Sequence, residues 1–314
     1  VDTSGAAFDS FNVAAERQTW RYGDRPFLTW YDDHRGERIE LSFKTFENWV
    51  AKTANLLVDE LGAEPGDRVG AALADHWQTP VVLAACWRAG TRVVVLEPAA
   101  DRDPPAGTWE GLVAAFVREE RLAGVAAGLA AAGGDGTMLV ALTPDLLGRV
   151  EQDLGRALNF AKVVPSMGDL FDTGPDPDGD ALTAGAATAT MAELLGRAAA
   201  LADRTGLGDG DRMLSGLRLL TVPGAAAGLL APLTTGAGVV LAAAFDPARF
   251  WKRVADERVA VAVLDPAQAA ALLAAGPPPA DLDRSRLRAV ACQDAGEALR
   301  EGFPATLAVP LVDD

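Results

Sequence analysis

The chain has 314 residues and a formal net charge of −16, with 28 Lys and Arg against 44 Asp and Glu; its lysines are Lys44, Lys52, Lys162 and Lys252. This length exceeds the usual size of a single core, so two domains or subdomains are expected. The acidity argues against a nucleic-acid partner or an anionic membrane surface, since both require clustered Lys and Arg.

Phe8 to Trp20 has the spacing of an amphipathic helix. The stretch "RPFLTWYDDHRGERIELSF" alternates on either side of Asp32 to Gly36, the pattern of a hairpin. Phe43 to Leu61 carries apolar residues at helical spacing and stops at Gly62. Val69 to Leu73 reads as a buried strand, Thr79 to Ala89 as a helix and Thr91 to Leu96 as a second strand, together a βαβ unit with a parallel sheet. An alanine-rich segment follows, read as a helical insertion near residues 102–137, and then a short strand at Met138 to Leu142. "FDTGPDPDGDAL" (Phe171 to Leu182) concentrates Pro, Gly and Asp and reads as the linker. It divides the chain into subdomains at 1–175 and 176–314. Beyond it, Ala187 to Arg204 and Pro247 to Asp256 read as helices, the second capped by Asp246, with Pro247 at its first position. Strands are expected at Asp211 to Leu214, Val239 to Leu241, Val259 to Leu264 and Leu287 to Ala291, a short helix at Ala267 to Ala275, and a last strand in the tail "ATLAVPLVDD".

Two of these passages say the same thing. Gly66-Asp67-Arg68 and Gly210-Asp211-Arg212 each lead through a strand, an alanine- and leucine-rich helix and a Gly turn into a valine-rich strand. The simplest account is two copies of one supersecondary element, each nucleating its own sheet. Cys86 and Cys292 lack CxxC or Cys/His metal spacing and read as buried thiols rather than a disulfide. The opening residues have no signal-peptide pattern and the apolar runs are too short and interrupted for a membrane span, so a cytoplasmic protein is expected. His34 reads as a solvated turn residue and His76 as structural, although it lies at the carboxyl end of a predicted parallel strand, where α/β folds bind ligands. The seven tryptophans, from Trp20 to Trp251, read as core.

The order and wording of "FLTWYDDHRGERIELSFKTFENWVAKTANLLVDELGAEPGDRVGAAL", "WRAGTRVVVLEP", "GLGDGDRMLSGLRLL", "GLLAPLTTGAGVVL" and "FDPARFWKRVADERVAVAVLDPAQAAALL" resemble the large domain of the adenylate-forming superfamily of acyl-CoA synthetases and adenylation domains. The resemblance implies an α/β fold of two stacked parallel-sheet, Rossmann-like subdomains, here truncated and without the small C-terminal domain. It also implies a lysine-bearing phosphate loop where this chain reads "DALTAGAATATMAELL", with Thr183, Gly185, Thr188 and Thr190 the only trace of that composition. The aromatic-His pair of the family falls on Leu220 and Thr221, and its pocket-lining turn on Gln293, Asp294, Ala295 and Gly296. By this resemblance the phosphate-loop Lys is expected to be missing, and the metal-binding Glu and the catalytic Lys, which the family carries from its Tyr-Gly-x-Thr-Glu motif onward, are expected to have no counterpart in the residues up to Asp314. ATP and magnesium, expected of the family, are therefore not supported by the residues, and no catalytic or metal-binding residue is assigned. The sequence reads as a catalytically silent, AMP-binding-like protein that takes an acyl or nucleotide-like small molecule between its subdomains. Two alternatives stay open: a ligase fragment completed by a separate chain, and a structural or regulatory module with a protein partner.

Overall fold

The computed structural model describes residues 8, 10–96, 107–134, 136–143, 145, 153–172 and 174–292. Helix α1 (Phe11–Tyr22) starts at Ser10, whose hydroxyl accepts from Val13 N. Strands β1 (Pro26–Asp32) and β2 (Glu37–Ser42) form the expected hairpin, its turn closed by the Asp32 carboxylate, which accepts from the backbone N–H groups of His34 and Arg35. Ser42 caps α2 (Phe43–Asn55), which continues as a π-helical turn, Leu56–Glu60. Next come β3 (Arg68–Ala72), α3 (Gln78–Arg88), β4 (Arg92–Val95), β5 (Leu112–Arg118), α4 (Leu122–Ala131), β6 (Met138–Leu142), β7 (Leu158–Asn159) and α5 (Phe160–Val163). The hairpin of β8 (Asp180–Ala184) and β9 (Ala187–Thr190) precedes α6 (Met191–Thr205) and β10 (Arg212–Ser215). Helices α7 (Val222–Ala225) and α8 (Ala231–Thr235) flank a π-helical turn and lead to β11 (Gly238–Ala242). The described chain closes with α9 (Pro247–Asp256), β12 (Val261–Leu264), α10 (Pro266–Ala274) and β13 (Ala289–Cys292). Asp246 caps α9 with Pro247 in its first turn, as the sequence predicts.

The two Gly-Asp-Arg turns are the same object built twice. Gly66 and Gly210 have φ of +89° and +77°, a region that glycine enters without steric cost. The carboxylate of Asp67 accepts from Glu64 N at 2.8 Å and that of Asp211 from Gly208 N at 2.9 Å. Gly66 N donates to Gly90 O and Gly210 N to Gly236 O, while Arg92 N donates to Asp67 O and Gly238 N to Asp211 O. Each turn is thereby stitched to the start of the next parallel strand.

The repeat extends to whole sheets. One sheet runs β13-β12-β10-β11-β1-β2 and the other β7-β6-β5-β3-β4-β8-β9. In both, the strand after the Gly-Asp-Arg turn has the second strand of its unit on one side and the third and fourth on the other. All these pairings are parallel. Each unit is then completed by a hairpin from the other half of the chain: β1 lies parallel to β11 and β8 parallel to β4, with β2 and β9 antiparallel outside them. The sheets are accordingly mixed rather than purely parallel, and they do not part at 175/176.

Two further expectations change. Residues 112–118, placed in a helical insertion, form β5 between β3 and β6. An uninterrupted apolar run buried on both faces has no alternation to distinguish it from a helix. Ala187 to Thr190, read as helix, is strand β9, and the helix begins only after Thr190. The tail expected to form a strand lies outside the described residues.

Alternate strand residues point to different layers. Val69, Val93, Phe116 and Val140 of one sheet, and Met213, Val239, Val261 and Ala289 of the other, face a shared core filled by α1, α2, α3, α6 and α8. The opposite faces pack against α4 in one case and against α9 and α10 in the other. Trp87, fully buried in the shared layer, donates from Nε1 to Ala181 O at 2.9 Å, tying α3 to the exchanged strand β8. Trp20 is the exception among the tryptophans: it is 89% exposed, because α1 buries the face carrying Phe11, Ala14, Ala15 and Tyr22. His34 is exposed in its turn and Cys86 and Cys292 are buried thiols. Burial pushes the Cys86 thiol up to about 12.

Candidate functional site

The loops that leave the carboxyl ends of β3 and β10 meet. Asp75, just beyond β3, accepts from Leu219 N through Oδ1 at 3.1 Å, and its backbone carbonyl accepts from Trp30 Nε1 at 3.0 Å. One residue therefore joins both sheets at the edge where open α/β sheets bind ligands. His76 follows, 4% exposed, with its ring edge-on to Trp30 at 4.4 Å. Burial, aided by the positive field of Arg118, holds its pKa down at about 3, so the ring is neutral. Its Nδ1 accepts from Gln78 N, which leaves the proton on Nε2.

The segment after β10 is fixed from several sides. Gly216 N donates to Val263 O, and Gly216 O accepts from Gln268 Nε2 at 2.6 Å. Gln268 in turn shares a reciprocal cap with Asp265 at the start of α10. Thr221, a predicted ligand residue, caps α7: its hydroxyl accepts from Gly224 N and donates to Arg218 O at 2.7 Å. A Cβ on Gly224 would lie 1.8 Å from Arg218 O, so only glycine fits there.

The predicted phosphate-loop residues fall on the hairpin before α6. Thr183 pairs with Thr188 and Ala184 with Ala187, leaving a two-residue turn of Gly185, at φ +64°, and Ala186. Thr190 caps α6. Its hydroxyl accepts from Glu193 N, while Glu193 Oε2 accepts from Thr190 N at 2.8 Å and from the Thr190 hydroxyl at 3.1 Å. These bonds lower the pKa of Glu193, and the helix N-terminus is thus neutralised by a carboxylate from its own first turn. The short lysine-free turn and the resident carboxylate do not fit a triphosphate with its metal, which needs open N–H groups and a cation. The structure thus brings Thr183, Gly185, Thr188 and Thr190 into one hairpin and its cap, with Thr221 on a separate loop. Asp294, Ala295 and Gly296 lie outside the described residues. Among those described, no group of three or more His, Cys, Asp or Glu is placed to hold a metal ion, and no helix is long and apolar enough to cross a membrane.

Asp75, Gln268 and Glu193 were missed by sequence reasoning. Asp75 carries one legible signal, a polar side chain just after a buried parallel strand. Gln268 and Glu193 carry the other, an amide or acid three residues after a capping side chain, Asp265 or Thr190.

A twice-used α/β unit, with its carboxyl-end loops joined by Asp75 across a shared helical layer, defines the class of the two-sheet large domain of adenylate-forming enzymes. The AMP-binding enzyme family matches residues 15–104 and 177–309, well over half of the chain, and the chain belongs to that family. A protein of Mycobacterium tuberculosis, named only for its family, is 36% identical over 235 residues, covering 74% of this chain and 89% of its own. The acyl-CoA synthetase of Brucella canis superposes with a TM-score of 0.75 at 19% identity, over 96% of this chain and 56% of that one. The acetoacetyl-CoA synthetase of Streptomyces lividans gives 0.75 at 20%, over 96% and 51%. At such identity the likeness is one of fold, and the chain spans about half the length of these solved proteins.

Proposed function

We propose that this member of the AMP-binding family binds an acyl or nucleotide-like small molecule in the groove between its two sheets and does not itself adenylate it. The observation that carries this reading is Glu193, whose carboxylate occupies the N-terminus of α6 beside a two-residue turn. Transition-state charge in acyl adenylation is neutralised by metal and cations, an effect worth several kcal/mol, and this hairpin offers an anion instead. The cytoplasmic location belongs to the same proposal, supported by two buried thiols outside any disulfide, and cell fractionation checks it.

The test is acyl-dependent exchange of labelled pyrophosphate into ATP with magnesium and a panel of carboxylic acids. No exchange above a protein-free control is expected, and no saturable thermal stabilisation by magnesium-ATP. A ligand present at 100 times its Kd would add about 2.7 kcal/mol, so binding of that strength would be seen. Exchange with any acid overturns the reading. A second reading, in which the chain is one part of a ligase completed by further polypeptide, is favoured by its spanning about half of the solved synthetases. Exchange that appears only when the protein is isolated from its host with a stoichiometric partner would establish that second reading.

A further inference from the structure

Among the described residues four large apolar side chains stand exposed: Trp20 and Leu170, each at 89%, together with Val13 and Met138. All but Met138 lie on the surface made by α1, α2 and the segment that follows α5. Helices α1 and α2 meet end to start, since Gly23 O, just past α1, accepts from Lys44 N in the first turn of α2. At the far end of α2, Asn55 Nδ2 donates to Gly168 O and Leu170 O, both at 2.9 Å. Trp20 and Leu170 therefore mark opposite ends of α2, which at 13 residues is about 20 Å long.

Both anchors stand on backbone that is held in place. Lys52 Nζ donates to Pro165 O and Met167 O and pairs with Asp169 at 2.6 Å, pinning the segment that carries Leu170. Helix α1 is held at its start by the Asp176 carboxylate, which accepts from Phe11 N and Asn12 N, and further along by Gln18, which donates to Thr234 O. Side chains presented in this way lose little freedom on association. The two ends also differ in charge. At the Trp20 end stand Arg17, Arg21 and Lys44, with Asp24 beyond the helix and Glu16 within 4.0 Å of Arg88. At the Leu170 end stand Asp59, Glu60 and Asp172, all exposed, and residues 167–180 hold five Asp with no Lys or Arg. The first end is basic on balance and the second acidic.

A second copy of the chain supplies the complement of both ends at once. In a contact with two-fold symmetry, residue i of one copy meets j of the other, and j meets i. A two-fold axis lying in the plane of this face, across the midpoint of the line from Trp20 to Leu170, sets each basic end on the acidic end of the other copy. We propose that the face of α1 and α2 is the interface of a symmetric homodimer, in which Trp20 of each copy packs on Leu170 of the other. The paired opposite charges offset the general repulsion between two chains of net charge −16. Trp20 set on Trp20 would instead bring like charges together at both ends. The proposal uses no residue of the groove between the sheets and is independent of the preceding reading.

Sedimentation equilibrium over a range of protein concentrations measures the association, and cysteine cross-linking reads its geometry. A contact of two helices and one segment belongs to the weaker class of interfaces, so the expected Kd is about 10–100 μM. Trp20→Ser and Leu170→Ser should each weaken the dimer about 30-fold, the effect of removing a central anchor, with the far-UV circular dichroism unchanged. Met138→Ser, at the exposed apolar residue outside this face, should leave the association as it is. Under mild oxidation an equimolar mixture of Trp20→Cys and Leu170→Cys proteins should form a disulfide-linked dimer, and neither should do so alone. Each position lies about 20 Å from its own copy across the axis, whereas a disulfide needs Cα atoms within about 7 Å. The native thiols, Cys86 and Cys292, are buried. A monomer at all concentrations up to about 1 mM, where such a dimer would be mostly formed, would overturn the proposal. So would a dimer that survives both serine substitutions, or a cross-link formed by either cysteine variant alone.

Discussion

If the two Gly-Asp-Arg turns are one structure built twice, substitutions in them should differ only where their surroundings differ. Gly210 and Gly236 share the left-handed conformation, at φ +77° and +76°. A methyl group on Gly210 would meet nothing within 4 Å, whereas on Gly236 it would lie 2.3 Å from Cε2 and 3.0 Å from Cζ of Tyr22. Tyr22 cannot readily yield: it is 5% exposed, packs on Phe43 with ring centroids 5.8 Å apart, and lies under the Arg25 guanidinium. Gly210→Ala should therefore lose only the left-handed penalty, about 1–2 kcal/mol. Gly236→Ala should lose that plus an overpacking cost of about 1–3 kcal/mol, about 2–5 kcal/mol altogether. At roughly 2 °C per kcal/mol for a chain of this size, the melting temperatures should fall by about 2–4 °C and about 4–10 °C. Gly66→Ala, at φ +89° with open space around it, should match Gly210→Ala to within about 0.5 kcal/mol, the usual scatter of surface substitutions. Urea unfolding, with midpoints compared at constant slope, measures all three. Equal losses at Gly210 and Gly236, or unequal losses at Gly66 and Gly210, would refute the reasoning.

Asp75→Ala should destabilise by about 1–3 kcal/mol by leaving Leu219 N without its acceptor, whereas Asp75→Asn, which keeps an acceptor oxygen, should recover most of the loss in the same urea assay. His76 is held neutral, with its pKa depressed to about 3 by burial, against about 6.5 in the unfolded chain. Its contribution is complete above the unfolded value and is lost as pH falls, so wild type should lose about 2 kcal/mol between pH 6.5 and pH 5. In His76→Phe, which keeps a ring against Trp30, this part of the slope should disappear; parallel pH curves for the two proteins would count against it.

What was legible followed from local chemistry. The Asp32 to Gly36 hairpin, the glycine stop at Gly62, the Asp246 cap and both Gly-Asp-Arg turns each depend on residues within a few positions of one another. The expectations that changed depend on distant partners. Leu112 to Val117 is a strand because β3 and β6 lie on either side of it, and the stretch itself carries no sign of them. Ala187 to Thr190 has the small residues of a helix start, yet it pairs with β8 because β8 is held by β4. The site was partly visible. His76 was noticed at a strand end, but Asp75 beside it gained its meaning only from Leu219, which no spacing rule connects to it.

The exchanged hairpins bear on the function as well as the fold. Each four-strand unit would otherwise end on β4 or β11 with an unpaired edge, and each is covered by a hairpin that belongs to the other half of the chain. In the first copy the hairpin turn is Asp32 to Gly36, closed by the Asp32 carboxylate. In the second copy it is the turn at Gly185, the place where the family resemblance locates phosphate binding. Both turns contain a glycine in the left-handed region, Gly36 at φ +67° and Gly185 at φ +64°, and both lead into a helix with a hydroxyl cap, Ser42 or Thr190. The turn is thus first a structural device for covering a sheet edge. Phosphate binding would require adding length and cations to one copy of it, and in this chain both copies have the short form. The edge-covering role needs only the short turn, so the exchange of hairpins and the shared core stand whether or not that turn takes a phosphate.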